Sequence, residues 1–290
     1  MNPWILATRP RTLPATIGPL LVGNLLAFHL ETFSFFIALI STLCAVFLQV
    51  SVNLANDYFD YKNGIDTDER LGPKRVTQSG LISPTAVRNA MLGTLFIAIF
   101  IGIILVYHSG WPIVILAFFA VFGTLTYSGG PYPLASHGLG EIAAFIYFGL
   151  VAVVGSYYIQ ADHVSISAWL LGASIGLFNA AIMLVNNTRD IATDTKANKN
   201  TLAVKIGEEK AKDLYQALVY LPFGLSIGGF LLGSLSGLPV LLSGFVLLKA
   251  RKLSQEFRLL TGAALNPLLG QTAKLTLFFS LLYSAGILLS

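Results

Sequence analysis

Charge is the scarcest property of this sequence. Of its 290 residues only 11% are Asp, Glu, Lys or Arg, against roughly 25% in soluble domains. So few charged side chains cannot coat a water-soluble fold. Cysteine is nearly absent too: Cys44 stands alone, which excludes an intrachain disulfide scaffold, and its apolar neighbours make it a packing residue. The four histidines are scattered, so there is no His/Cys cluster of the kind that holds zinc or iron. Disorder is excluded by a 55% hydrophobic content, and collagen by 27 glycines without a three-residue period. What is present in abundance is long apolar sequence, and the medium that suits it is lipid.

A membrane-crossing helix needs about 20 predominantly apolar residues. Nine such windows emerge, at 12–28, 33–55, 84–107, 111–127, 139–159, 167–185, 214–232, 238–248 and 273–289. The eighth is short, and the Gly233 to Gly237 turn before it is the weakest boundary, so eight is the fallback. The expected fold is therefore all-α and polytopic. With nine crossings and the N-terminus inside, all 18 Lys and Arg fall on one side, and the other holds only Glu31, Asp162, His29, His108 and His163. Basic loops mark the cytoplasmic face, so the net charge of +4 records topology, and no nucleic-acid partner is expected. Arg9 and Arg11 precede an apolar run without a compact cleavage region, the pattern of a retained first span. The long connections, 57–83, 189–213 and 249–272, are also on the basic side. Loops of that length usually carry function.

The second span ends in Gln49-Val-Ser-Val-Asn53-Leu-Ala-Asn56-Asp57-Tyr58-Phe59-Asp60 and continues to Asp66 and Asp68. At 3.6 residues per turn, Asn53, Asn56, Asp57 and Asp60 lie within about 100° of one another on one face. The sixth ends in Asn186-Asn187-Thr188-Arg189-Asp190, with Asp194 one turn on, so that Asn186, Asp190 and Asp194 also share a face. Asn53 and Asn186 are 133 residues apart, as are Asp57 and Asp190, which predicts two related halves, 1–138 and 139–290. Carboxylates crowded at a helix C-terminus face the negative end of its dipole and one another. A cation must offset them, and an all-oxygen donor set suits Mg2+, which binds through one or two carboxylates plus substrate phosphates. A diphosphate is the natural bridge between two such clusters. Arg75 after the first and Lys199 after the second are the basic groups placed to neutralise charge on a departing diphosphate; both also fit ordinary basic-side residues.

Between the fourth and fifth spans lie Tyr127, Tyr132, His137 and Glu141. Tyr132 reads as an interfacial anchor, while Tyr127 and His137 are candidates to hold an aromatic substrate. Glu141 falls just inside a span, where an ionisable group is costly and points to function. Arg9-Pro10-Arg11-Thr12-Leu13-Pro14 is either a topology signal or part of an anion pocket, with Arg11 the candidate contact.

At these residues the sequence resembles the UbiA superfamily of intramembrane aromatic prenyltransferases. The finer pattern is similar to the 1,4-dihydroxy-2-naphthoate prenyltransferases: Ala7-Thr-Arg9-Pro-Arg11-Thr-Leu-Pro14, then Asn56-Asp57-Tyr58-Phe59-Asp60 through Gly64-Ile65-Asp66 to Arg70-Leu-Gly72-Pro73-Lys-Arg75. The resemblance implies a helical bundle around a central cavity open to lipid, and Mg2+-dependent transfer from a polyprenyl or phytyl diphosphate to an aromatic acceptor. For the subfamily it implies loss of the acceptor's carboxylate as carbon dioxide, on the way to menaquinone or phylloquinone. Carried onto this chain, Asn53, Asp57, Asp60, Asn186, Asp190 and Asp194 would hold Mg2+ and diphosphate, with Gln49 and Asn56 in the substrate site beside them. The 4-hydroxybenzoate enzymes carry a basic pair in the fourth-to-fifth loop, whereas Tyr127 is followed by Ser128-Gly129-Gly130. The resemblance places the protein in the cytoplasmic membrane, or the thylakoid of a photosynthetic source, with its mouth cytoplasmic.

An allylic cation needs anion stabilisation at the mouth and a water-free interior beyond it. Phe96, Phe100, Phe118, Phe119, Phe145 and Phe148 are candidates for packing, with a few for cation-π contact. Other acceptors, such as 4-hydroxybenzoate or homogentisate, remain alternatives. So does a secondary transporter, which shares repeated halves but keeps its charge near midplane.

Overall fold

The computed structural model describes residues 2–65 and 71–290, with Arg11 described by its backbone alone. Asp66, Asp68, Glu69 and Arg70 and the Arg11 side chain lie outside the described residues. Among those described, the chain is helical and forms no strand. The order is α1 (Pro3–Thr8), α2 (Leu13–Leu26), α3 (Phe35–Lys62), α4 (Pro84–Ser109), α5 (Trp111–Thr126) and α6 (Gly140–Phe145). A π-helical turn (Ile146–Val151) joins α6 to α7 (Ala152–Ala161). Then follow α8 (Ile166–Arg189), α9 (Ile191–Lys196), α10 (Leu202–Ile206), α11 (Glu208–Leu231), α12 (Gly237–Gly244), α13 (Leu247–Leu259) and α14 (Asn266–Leu289).

Three of the long helices start on a serine whose hydroxyl accepts an otherwise orphaned backbone N–H: Ser34 from Ile37, Ser83 from Ala86 and Ser165 from Ala168. Among the described residues six helical segments are long and apolar enough to cross a membrane, and α2 and α5 are shorter apolar helices. Large apolar side chains face outward along them, including Phe96 at 70% exposure and Leu231 at 76%. In water that surface would be untenable, so the chain is an integral membrane protein. Phe100, Phe118 and Phe119 are exposed in the same way. Of the six phenylalanines singled out from sequence, Phe145 packs on the core and Phe148 lines the central cavity.

Several windows differ from expectation: α11 begins at Glu208 and α14 at Asn266, before the windows 214–232 and 273–289. The second span continues to Lys62, well past its apolar part, so the whole Asn53 to Asp60 motif is helical. The eighth window is not one helix: α12 ends at Gly244 and α13 begins at Leu247.

The main core gathers around α8, α11 and α14, where Phe178 meets Phe279 and Phe223 edge-on at centroid separations of 5.2 and 5.9 Å. The π-helical turn packs backbone against backbone on α8. A Cβ added at Gly149 would stand 2.4 Å from the Gly176 Cα and 2.5 Å from the Gly172 carbonyl oxygen, the close approach that small residues permit between membrane helices. Gly149→Leu is therefore expected to separate these helices and cost several kcal/mol. A thermal unfolding midpoint in detergent equal to that of the wild type would contradict this packing.

Candidate active site

The polar site forms where the C-terminal ends of α3 and α8 meet at one end of the bundle. In the last turns of α3, Gln49, Asn53, Asp57 and Asp60 all point inward and are buried. Their partners are backbone segments as well as side chains. Asn53 Nδ2 donates to the Thr8 carbonyl (2.9 Å) and to Thr12 Oγ1 (3.0 Å), and Gln49 Nε2 donates to the same hydroxyl at 3.3 Å. The N-terminal arm is thus stitched across the motif. Between those anchors Arg9 takes a left-handed backbone, φ 49°. That conformation is costly for a residue with a Cβ, and here it comes with an Arg9 side chain in the cavity wall.

Asp57 is 2% exposed. Its two carboxylate oxygens accept from the backbone N–H groups of Thr77 (2.9 Å) and Val76 (3.1 Å). It clamps the loop that carries Arg75, and Arg75 Nη2 in turn donates to Asp60 Oδ2 at 2.8 Å, both side chains being buried. Asn56 Oδ1 accepts from the Ser128 hydroxyl, tying the α5–α6 loop to α3.

The second motif is built differently. Helix α8 ends at Arg189 and α9 starts at Ile191, so the single helix expected through Asp194 is interrupted at Asp190. The i, i+4 spacing survives, because Asp190 N–H still reaches the Asn186 carbonyl at 3.3 Å and Asp194 N–H the Asp190 carbonyl at 2.8 Å. Arg189, 2% exposed, forks onto both Asp190 oxygens, with Nε to Oδ1 at 2.8 Å and Nη2 to Oδ2. It also donates to Asn186 Oδ1 at 2.9 Å and to Asn266 Oδ1 at 3.0 Å. Asn266 Nδ2 passes the connection to the Leu71 carbonyl at 2.9 Å. Lys199 Nζ faces Asp194 Oδ1 at 3.5 Å.

Between the two motifs lies a cavity of about 380 Å³. Its polar end is lined by Arg9, Asn53, Asn56, Asp60, Arg75, Asn186 and Lys199, with Gln49 and Tyr127 on the wall. Its apolar end reaches Leu105, Ile113 and Ile159, near the far termini of α4, α5 and α7. A side chamber of about 40 Å³ is bounded by Arg75, Asn186, Asp190, Thr193, Asp194 and Lys199. Arg75, Asn186 and Lys199 border both spaces.

Most of the residues picked from sequence therefore converge. Asp57 is turned to the loop backbone and is not on either cavity wall. His137 also stands away from the cavity: its ring stacks on Tyr132 at 3.6 Å, with Nδ1 on the Pro133 carbonyl at 2.8 Å. Glu141 is buried behind the wall. Its Oε1 accepts from Asn187 Nδ2 at 2.9 Å, and Asn187 is the residue that reaches the cavity. Tyr127 donates to the Met183 sulfur at 3.2 Å. Arg9, Thr12, Arg189 and Asn266 complete the site. Arg9 stood in the same motif as Arg11, but nothing in the pattern marks Asn266.

The donor set is entirely oxygen, and among the described residues no three His, Cys, Asp or Glu side chains gather closely enough to cage a metal. The carboxylates are held instead by Arg75, Arg189 and Lys199. That arrangement fits Mg2+ delivered with a phosphate ligand, which needs only one or two protein carboxylates. Asn266 joins both motifs, so Asn266→Leu is expected to release the Leu71 carbonyl. Tryptic cleavage at the exposed Lys74 should then accelerate roughly fivefold, the equivalent of one hydrogen bond. An unchanged cleavage rate would show that the tether holds nothing.

The chain matches the UbiA prenyltransferase family over residues 16–268. It is 38% identical to a 1,4-dihydroxy-2-naphthoate octaprenyltransferase of Mycobacterium leprae over 74% of this chain and 73% of that one. It is 35% identical to the Escherichia coli protein of the same name, over 99% and 95% of the two chains. Among solved structures, a UbiA homolog from Archaeoglobus fulgidus bound to DMAPP and Mg2+ superposes with a TM-score of 0.73 at 15% identity, covering 99% of each chain.

Proposed function

We propose, from the premise that this chain belongs to the UbiA prenyltransferase family and is a prenyltransferase, that it transfers a polyprenyl group to 1,4-dihydroxy-2-naphthoate with loss of carbon dioxide. The observation that carries the reading is the joining of a buried, charge-balanced mouth to a long apolar cavity. Asp60, Arg75 and Lys199 line the polar end of the cavity, and Arg75 and Lys199 also border the side chamber that holds Asp190 and Asp194. A diphosphate at the mouth leaves its prenyl tail in the apolar part, with C1 between. The names of the relatives favour the naphthoate and a polyprenyl donor, and the absence of a basic pair after Tyr127 agrees. Membership of a prenyltransferase family removes the transporter alternative.

Asp60, Asp190, Asp194 and Asn186 are the residues to hold Mg2+. Bound there with the diphosphate, Mg2+ supplies positive charge to the departing oxygens. Arg75 and Lys199 add theirs from the shared rim of the two spaces and cost no reorganisation, since both are already held in place. The allylic C–O bond breaks, and its electron pair leaves with the diphosphate. Leu48, Val52, Leu116 and Phe148 exclude water from the tail, so the cation meets carbon. Phe148 and Tyr147 present rings to it. The acceptor's carboxylate-bearing carbon forms the new bond. The electrons of the broken bond to carbon dioxide restore the aromatic ring, so no side chain takes a proton from that carbon.

The same reading keeps the window 238–248, which holds most of α12, as the eighth of nine crossings and relates the halves 1–138 and 139–290. The mouth and N-terminus then face the cytoplasm, since the Lys and Arg lie on that side.

The test supplies purified protein with Mg2+ and geranylgeranyl diphosphate, and with 1,4-dihydroxy-2-naphthoate or 4-hydroxybenzoate in separate reactions. The expected product forms from the naphthoate, is lighter by the carboxyl group, and disappears with EDTA. A product from the benzoate alone would overturn the acceptor and leave the fold and the mouth intact.

A further inference from the structure

A second charged feature lies outside the reaction site, on the lipid-facing side of α13 and α14. The Nζ of Lys249 stands 4.5 Å from the centroid of the Phe278 ring. Phe278 is one turn beyond Lys274 on α14, so Lys274 and Phe278 share a helix face. Lys249 is half-buried, and the Lys274 charge also acts on it. The ammonium group of Lys249 thus sits over a ring whose own helix carries a second lysine one turn away. Among the described residues neither has a carboxylate partner. The nearest acid on α13 that forms an ion pair, Glu256, is engaged by Lys252 at 3.8 Å.

The depth of this pair is informative. Asn266, the first residue of α14, is level with the polar mouth through its bonds to Arg189 and Leu71. Lys274 is two turns further along, about 12 Å at 1.5 Å per residue. Side chains around and beyond it are apolar and exposed: Phe278 at 45%, Leu281 at 43%, Phe245 at 69% and Leu248 at 77%. Helix α13 buries Ala250, Leu253, Ser254 and Phe257 against the bundle, leaves Arg251 and Lys252 exposed, and half-buries Lys249 beside α14. A cation in such surroundings must reach water by extending its stem or meet an anion. Lys249 does not extend away, since it is held over Phe278.

We propose that Lys249 and Lys274 form a binding site for the phosphate of an anionic phospholipid in the leaflet on the motif side, with its acyl chains on the apolar surface of Phe245, Leu248, Phe278 and Leu281. Charge complementarity selects the headgroup, and the flanking exposed side chains select a lipid over a free phosphate. The reaction described above does not depend on it.

The test uses detergent-purified protein equilibrated with equimolar dioleoylphosphatidylglycerol and dioleoylphosphatidylcholine, with retained lipid counted by native mass spectrometry. Two lysines at about fivefold each predict that wild type retains phosphatidylglycerol over phosphatidylcholine by roughly 25-fold. The Lys249→Gln/Lys274→Gln variant should fall near parity, while Lys210→Gln, exposed on α11, keeps the preference. Parity in wild type would overturn the site whatever the variants do. A preference that survives the double substitution, or that Lys210→Gln removes equally, would do the same. One-for-one displacement of phosphatidylglycerol by geranyl diphosphate would assign the pair to the prenyl donor and overturn the lipid assignment.

Discussion

Asp190→Asn is expected to lower kcat/KM for the prenyl diphosphate by about a thousandfold, the scale of losing one fixed charge-stabilising group in a water-excluded site. The carboxylate bounds the side chamber with Asp194 and is gripped by the Arg189 fork. Asparagine keeps the shape and removes the charge. It also leaves Arg189 buried without its counterion, a stability cost of about 3–5 kcal/mol, so the variant is read only where its unfolding midpoint shows folded protein. Asp162→Asn is the control. Asp162 caps α7 at the opposite end of the bundle with φ 57°, a conformation Asn tolerates, and near-wild-type turnover is expected. Equal losses in both variants would remove any special role for the second motif.

Asp57→Ala is expected to be nearly as damaging, by a different route. Its carboxylate holds the Val76 and Thr77 amides, so its loss frees the loop and with it Arg75. Trypsin should then cut at Lys74 at least tenfold faster, with activity falling about a hundredfold or more. Raising Mg2+ should not restore it, because Asp57 acts on the loop. Restoration by Mg2+ with unchanged cleavage would return Asp57 to the metal, where its helical face and the family resemblance place it.

That contrast shows what the sequence can convey. Helical spacing puts Asn53, Asp57 and Asp60 on one face, and they are there. Periodicity is silent on what each side chain meets, and for Asp57 the partner is the backbone of a loop nearly twenty residues away. Asp190 and Asp194 were legible for the same reason, even though the helix breaks between Arg189 and Ile191, because the i, i+4 hydrogen bonds persist across the break. Within its motif Arg11 is the residue that the sequence puts forward, and Arg9 is passed over, since its place in the cavity wall comes with a left-handed backbone that no composition rule signals. Asn266 was invisible: its role depends on Arg189 and Leu71, both remote in sequence. His137 illustrates the converse, a chemically capable residue whose ring is committed to Tyr132. Most apolar windows fall on helices, six of them long and apolar enough to cross a membrane among the described residues. They failed at 238–248, where the apolar run crosses the break between α12 and the charged α13.

Calorimetric binding of geranyl diphosphate, with and without Mg2+, tests the central claim most directly. Binding is predicted only with Mg2+, and loss of that binding in Asp60→Asn, at the polar end of the cavity, and in Asp190→Asn, in the side chamber that shares Arg75, Asn186 and Lys199 with it. Equal affinity without the metal, or unchanged affinity in both variants, would contradict a diphosphate held between the ends of α3 and α8.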